Sequence, residues 1–125
     1  MYRMVLVDTS VWVLHLRGGK SGLEWLLDEA RVACHPFIIG EIACGNLKNR
    51  TEILSLLQTL PVTKLAEHGE VMRFIEDHGL MGRGLGYIDV HLLASALLSG
   101  VRIWTLDKHL DGISAELGVR FHKKQ

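Results

Sequence analysis

Apolar residues in this chain follow two patterns. Short, mostly apolar runs at 4–7, 32–34 and 102–106 read as buried strands, and 119–121 reads as a final short one. Between them the apolar positions recur at helical spacing. Val11, Trp12, Leu14 and Leu16 predict a first helix, opened by the capping hydroxyls of Thr9 and Ser10 and broken by Arg17-Gly-Gly-Lys20. Leu23, Leu26, Leu27 and Ala30 predict a second. Pro36 opens a third through Phe37, Ile38, Glu41 and Ile42, which ends near Gly45. Further helices are expected over 47–60, 66–78 and 87–98, the last the most apolar. Four glycines between 79 and 86 predict a mobile loop. Strands separated by helices imply right-handed crossovers, hence an α/β three-layer fold with a central, mainly parallel sheet flanked by helices. In such a sheet, ligands sit beyond the carboxyl ends of the strands.

Composition narrows the class. A chain of 125 residues suits one domain spanning 1–125, and an aliphatic-rich 48% hydrophobic fraction can fill its core. Fourteen basic and fourteen acidic residues balance to zero, which argues against a strongly basic, non-specific nucleic-acid binder. The same neutrality protects poorly against self-association and makes a homodimer or a tight partner an expectation. Cys34 and Cys44 lie in apolar stretches without ligand spacing and read as buried reduced thiols. No signal-peptide pattern is present and no apolar run nears the ~20 residues of a membrane span, so a cytoplasmic protein is expected.

Against this apolar background four acids stand out: Asp8, Glu41, Asp89 and Asp107, each at a strand end or in a helix among Val, Ile and Leu. A buried carboxylate costs several kcal/mol unless compensated. Asp8 and Asp107 close two strands and should share one sheet edge; Asp89 and Glu41 lie in helices that could face it. Carboxylates ~4 Å apart repel by about 4 kcal/mol per ionised pair at an effective dielectric near 20, so such a cluster calls for raised pKa values or a cation. Oxygen ligands without Cys or His select Mg²⁺, with Mn²⁺ as a substitute, and Mg²⁺ commonly serves phosphodiester or phosphoryl chemistry. Helix capping is the competing role for Asp8 and for Asp107.

The segments Val7-Asp8-Thr9-Ser10-Val11-Trp12, Gly40-Glu41-Ile42, Asp89-Val-His-Leu-Leu-Ala94-Ser95-Ala96 and Trp104-Thr105-Leu106-Asp107-Lys108-His109-Leu110 together resemble the PIN-domain ribonucleases of the VapC toxin family. The resemblance spans nearly the whole chain. It implies a PIN-like nuclease fold and a Mg²⁺-dependent endoribonuclease cutting single-stranded or structured RNA. It also implies a VapB-type antitoxin that inhibits the toxin. Asp8, Glu41, Asp89 and Asp107 become the catalytic acids, with Asp8, Asp89 and Asp107 the better metal ligands and Glu41 placed to act on water. Thr9, Ser10 and Thr105 become supporting hydroxyls. A phosphatase or phosphotransfer domain with an acidic Mg²⁺ site is the alternative. It is disfavoured because a phosphatase of the haloacid-dehalogenase kind needs a second Asp where Ser10 stands. Arg83 is a phosphate or partner contact or a solvated loop residue; His91 reads as packing or partner-facing. The scattered Trp12, Trp25 and Trp104 read as core or interface anchors.

Overall fold

A computed structural model describes residues 3–122. Val5-Leu-Val7 forms β1, with every side chain buried, as a strand covered on both faces requires. It pairs in parallel with β2 (Val32–Ala33) on one side and β3 (Arg102–Trp104) on the other, in the order β2-β1-β3. Two further segments extend this sheet by a single parallel bridge each, Cys34 with Val62 and Ile103 with Arg120. The stretch 119–121 is therefore shorter than a strand, although Ile103 exchanges hydrogen bonds with Val119 and Phe121.

The helices cover both faces. They are α1 (Thr9–Leu16), α2 (Leu23–Asp28), α3 (Pro36–Ala43), α4 (Arg50–Leu57), α5 (His68–His78), α6 (Tyr87–Ser99) and α7 (Lys108–Glu116). Several begin or end a few residues from the sequence expectation, two of them for backbone reasons. Ala30 takes φ 54°, which stops α2 at Asp28, and Asn49 takes φ 55°, which delays α4 to Arg50. Asn is among the residues that tolerate this region. Asp8, rather than Thr9 or Ser10, takes the N-cap position of α1, and its side chain makes no capping bond.

The core joins Leu6, Val7 and Ile103 of the sheet to Val11 and Trp12 of α1, Ile38 and Ile42 of α3, and Leu92, Leu93 and Ala96 of α6. Helix α6 is buried over seven consecutive residues, Val90–Ala96, which accounts for its all-round apolar sequence. Trp104 is also buried, but Trp25 is exposed beneath the Arg31 guanidinium. Cys34 is buried and desolvation raises its thiol pKa, whereas Cys44 at the end of α3 is exposed, contrary to expectation. None of the described helices is long and apolar enough to cross a membrane.

Candidate active site

Register decides which residues meet at the carboxyl edge of the sheet. Val7 pairs with Trp104, and the Asp8 N–H donates to the Trp104 carbonyl at 2.9 Å. The next residues, Asp8 and Thr105, then lie side by side. Strand β3 ends at Trp104, not at Leu106, because the following N–H groups turn to hydroxyls. Leu106 N–H donates to Ser10 Oγ at 2.9 Å and Asp107 N–H to Thr105 Oγ1 at 3.0 Å. Those two hydroxyls in turn donate to Asp8 Oδ2, Ser10 at 2.9 Å and Thr105 at 2.7 Å. Each hydroxyl thus relays a backbone N–H to one carboxylate oxygen, and charge-assisted bonds of this kind are the stronger ones. Asp8 is buried and held rigidly from two strand ends.

The other acids arrive by different routes. Asp107 opens α7, where one of its oxygens accepts the Leu110 N–H at 2.9 Å, so the capping alternative holds for that oxygen. Asp89 lies in the first turn of α6 and accepts the Gly86 N–H at 2.9 Å. Glu41, on α3, accepts the Thr9 hydroxyl at 2.6 Å. Asp8 is buried and Asp89 half-buried; Glu41 and Asp107 are exposed despite their apolar sequence neighbours. Adjacent residues on a helix point to different faces, so flanking Ile residues did not mean burial.

The four acids are nevertheless one electrostatic group. Burial pushes the Asp89 carboxyl above the usual carboxylate range, the Gly86 N–H pulls against it, and the charges of Asp8, Asp107 and Glu41 add to the rise. No Lys or Arg among the described residues forms an ion pair with any of the four. Nor do three described His, Cys, Asp or Glu side chains stand together as a ready-made metal cage. Mg²⁺, which binds through one or two carboxylates and keeps several waters, does not require such a cage. An all-oxygen set, with only the His109 imidazole 4.0 Å from Asp107 as a basic neighbour among the described residues, fits a hard divalent ion.

Around this centre lies an aromatic rim. His91 is buried on α6, edge-on to Phe37 with centroids 4.7 Å apart and to Tyr87 at 4.6 Å, which bears out packing as its role. His35 caps α3: its Nδ1 accepts the Phe37 N–H at 3.0 Å. Sequence reading missed this residue, although His immediately before Pro36 is the position of a helix cap. Nδ1 must be unprotonated to accept, so the proton sits on Nε2, which finds no partner among the described groups. Burial, helped by the charge of nearby His91, pushes His35 down to about 4. The unfolded chain, with an imidazole near 6.5, binds the proton first as pH falls. Stability from neutral His35 is therefore whole above about pH 6.5 and lost progressively towards about pH 4, by at most about 3 kcal/mol. His35→Asn retains a good capping oxygen, and its melting temperature should fall less steeply across that window.

Arg83 pairs with Glu116 at 2.5 Å, tying the glycine-rich loop to α7. Gly84 takes φ +80°, where other residues are strained, and a Cβ there would stand 2.7 Å from the exposed His109 ring and displace it.

With this geometry in place, comparison with known proteins is decisive. A PIN-domain family model matches residues 5–116. The chain belongs to the PIN-domain family. Relatives of this PIN domain include Ribonuclease VapC32 of Mycobacterium tuberculosis, from strains CDC 1551 / Oshkosh and H37Rv. Each is 46% identical over 117 residues, covering 93% of this chain and 94% of the relative, and both place the chain among VapC-type members. The crystal structure of PAE2754 from Pyrobaculum aerophilum has a similar fold, with a TM-score of 0.58 at 18% identity, covering 96% of this PIN domain and 92% of that chain.

Proposed function

We propose that this PIN domain, with residues 1–125 acting as one unit, is a Mg²⁺-dependent endoribonuclease, the toxin of a toxin–antitoxin pair. The observation that carries the reading is the group of four acids, coupled through Asp89 and without a Lys or Arg ion-pair partner among the described residues, in a VapC relative. Asp8, Asp89 and Asp107 would hold the ion, and Mn²⁺ could replace it. Bound Mg²⁺ would neutralise negative charge on the scissile phosphate and lower the pKa of a water. The chain's own part is positional. Thr105 and Ser10 fix Asp8 Oδ2, the Gly86 N–H fixes Asp89 Oδ2, and the Leu110 N–H fixes Asp107 Oδ1. Thr9 holds Glu41 Oε1, which leaves the second oxygen of this longer side chain to orient or deprotonate the attacking water.

A VapB-type antitoxin would inhibit the enzyme. A groove of about 400 Å³, lined by Val13, Leu16, Ile42 and Leu47 with Arg17 and Lys48 at its edge, leads to Glu41 and could take an apolar segment of such a partner. Exposed Phe37 and Tyr87, which line one pocket with Glu41, favour a homodimer, and a cytoplasmic setting belongs to the same reading.

The direct test is cleavage of RNA by the purified chain with Mg²⁺ or Mn²⁺ and with EDTA. Equal cleavage in EDTA would overturn the metal reading. Thr105→Val removes one hydroxyl from Asp8 while conserving shape. Losing such an outer hydrogen bond typically costs about 10–100-fold in activity or metal affinity. A Mg²⁺ titration of the variant should therefore saturate later than that of the parent.

A further inference from the structure

The opposite end of the sheet carries the opposite charge. Arg3 precedes β1, Arg31 precedes β2, Arg102 opens β3 and Arg120 stands on the segment bridged to β3. A parallel sheet gathers strand starts at one edge, so these four arginines line one cleft of about 420 Å³ with Phe121 and His122. Only two carboxylates answer them among the described residues: Asp111 lies 3.0 Å from Arg120 and Glu29 lies 3.6 Å from Arg31. Four guanidinium groups less two carboxylates leave a surplus of two positive charges in a chain whose net charge is zero.

The guanidinium groups of Arg31 and Arg102 are also held in place. Arg31 Nε donates to the Arg3 carbonyl at 2.7 Å, and Arg102 donates to the carbonyls of Gly118 at 3.5 Å and Arg120 at 3.3 Å. Each guanidinium has five N–H donors, so these bonds leave others available. Phe121, packed at a tilt against Trp104 with centroids 5.5 Å apart, adds an aromatic wall. From Arg3 to the acidic end at Asp8 the strand runs on the order of 16 Å at about 3.3 Å per residue, so this cleft is not part of the catalytic centre.

We propose that this cleft is a second, remote RNA-backbone site, where Arg3, Arg31, Arg102 and Arg120 take phosphodiester groups of a substrate larger than the catalytic footprint. Arginine forks match phosphate in a bidentate geometry, and stacking on an aromatic face tolerates any base. The inference rests on the nuclease reading above.

The test uses the full chain. Binding is measured in the Asp8→Asn background on a folded RNA of several tens of nucleotides across a salt series, and cleavage in the Asp8 parent on a short oligomer that cannot reach both ends of the sheet. Arg3→Ala with Arg102→Ala should weaken binding of the folded RNA several-fold and reduce the salt slope by about 1.4–1.8, the range from single-stranded to duplex segments for two lost phosphate contacts. Arg102→Lys, which keeps the charge, should retain most of the slope. Exposed Lys64→Ala, which removes a cation away from the cleft before α5, should leave it unchanged. Cleavage of the short oligomer should be equal in parent and double variant. Unchanged Kd and slope in the correctly folded double variant would overturn the proposal. So would polyglutamate competing as well as RNA, which would make the cleft a site for acidic protein. If no RNA is cleaved but the arginine-dependent slope persists, the nuclease reading fails and the cleft stands.

Discussion

Asp8→Asn is expected to lower RNA cleavage by on the order of 10²–10³-fold or more, the scale seen when a group that stabilises transition-state charge is removed. Asp8 is the only one of the four acids that is buried, and its Oδ2 takes two hydroxyls whose own acceptor sides are filled by backbone N–H groups. An asparagine oxygen can still accept both hydroxyls, so the link between the ends of β1 and β3 survives. What disappears is the negative charge that would hold the cation. Cleavage should therefore collapse while the circular dichroism spectrum and the melting temperature stay close to the parent's. Full activity with Mg²⁺ would remove Asp8 from the metal site; an unfolded variant would instead show that its charge is a structural requirement.

Asp89→Asn should separate stability from activity even more sharply. In metal-free buffer at neutral pH the variant should melt a few degrees above the parent, and with Mg²⁺ it should be inactive. Burial and three neighbouring carboxylates raise the Asp89 pKa above that of an unfolded aspartate. The folded state therefore binds the proton more tightly. Its contribution to stability is fully present below the unfolded pKa and is lost as pH rises through the folded one. At neutral pH the ionised side chain is a net burden, which the neutral amide removes while still accepting the Gly86 N–H. Solvent at this half-buried side chain screens the gain, so direction is the test. A lower melting temperature in EDTA would show that capping of α6 outweighs repulsion. In the parent, added Mg²⁺ should raise the melting temperature by mass action, and the variant should lose most of that rise.

Much of the architecture was legible because each element carries its own signal. The mostly apolar runs became β1, β2 and β3, and the helical stripes became helices with ends shifted by a few residues. The misjudgements came where a neighbour in space outranked a neighbour in sequence. Thr9 and Ser10 resembled caps, but their hydroxyls serve Glu41 and Asp8. Glu41 and Asp107 sat among apolar residues yet are exposed, and Cys44 likewise. His35 gave no motif, because its capping role depends on a tautomer and a buried environment.

The sequence by itself determined the inventory: the four acids, their order, the three hydroxyls and the strand and helix periods. These follow from local propensity and from burial, which act residue by residue along the chain. Only the tertiary structure decided which groups meet. The parallel register that pairs Val7 with Trp104 sets Thr105 beside Asp8, so that an acid and two hydroxyls from distant segments form one relay. The same parallel arrangement gathers acids at the carboxyl ends of the strands and arginines at their starts. Electrostatic coupling falls off with distance, not with sequence separation, and the fold sets the distances.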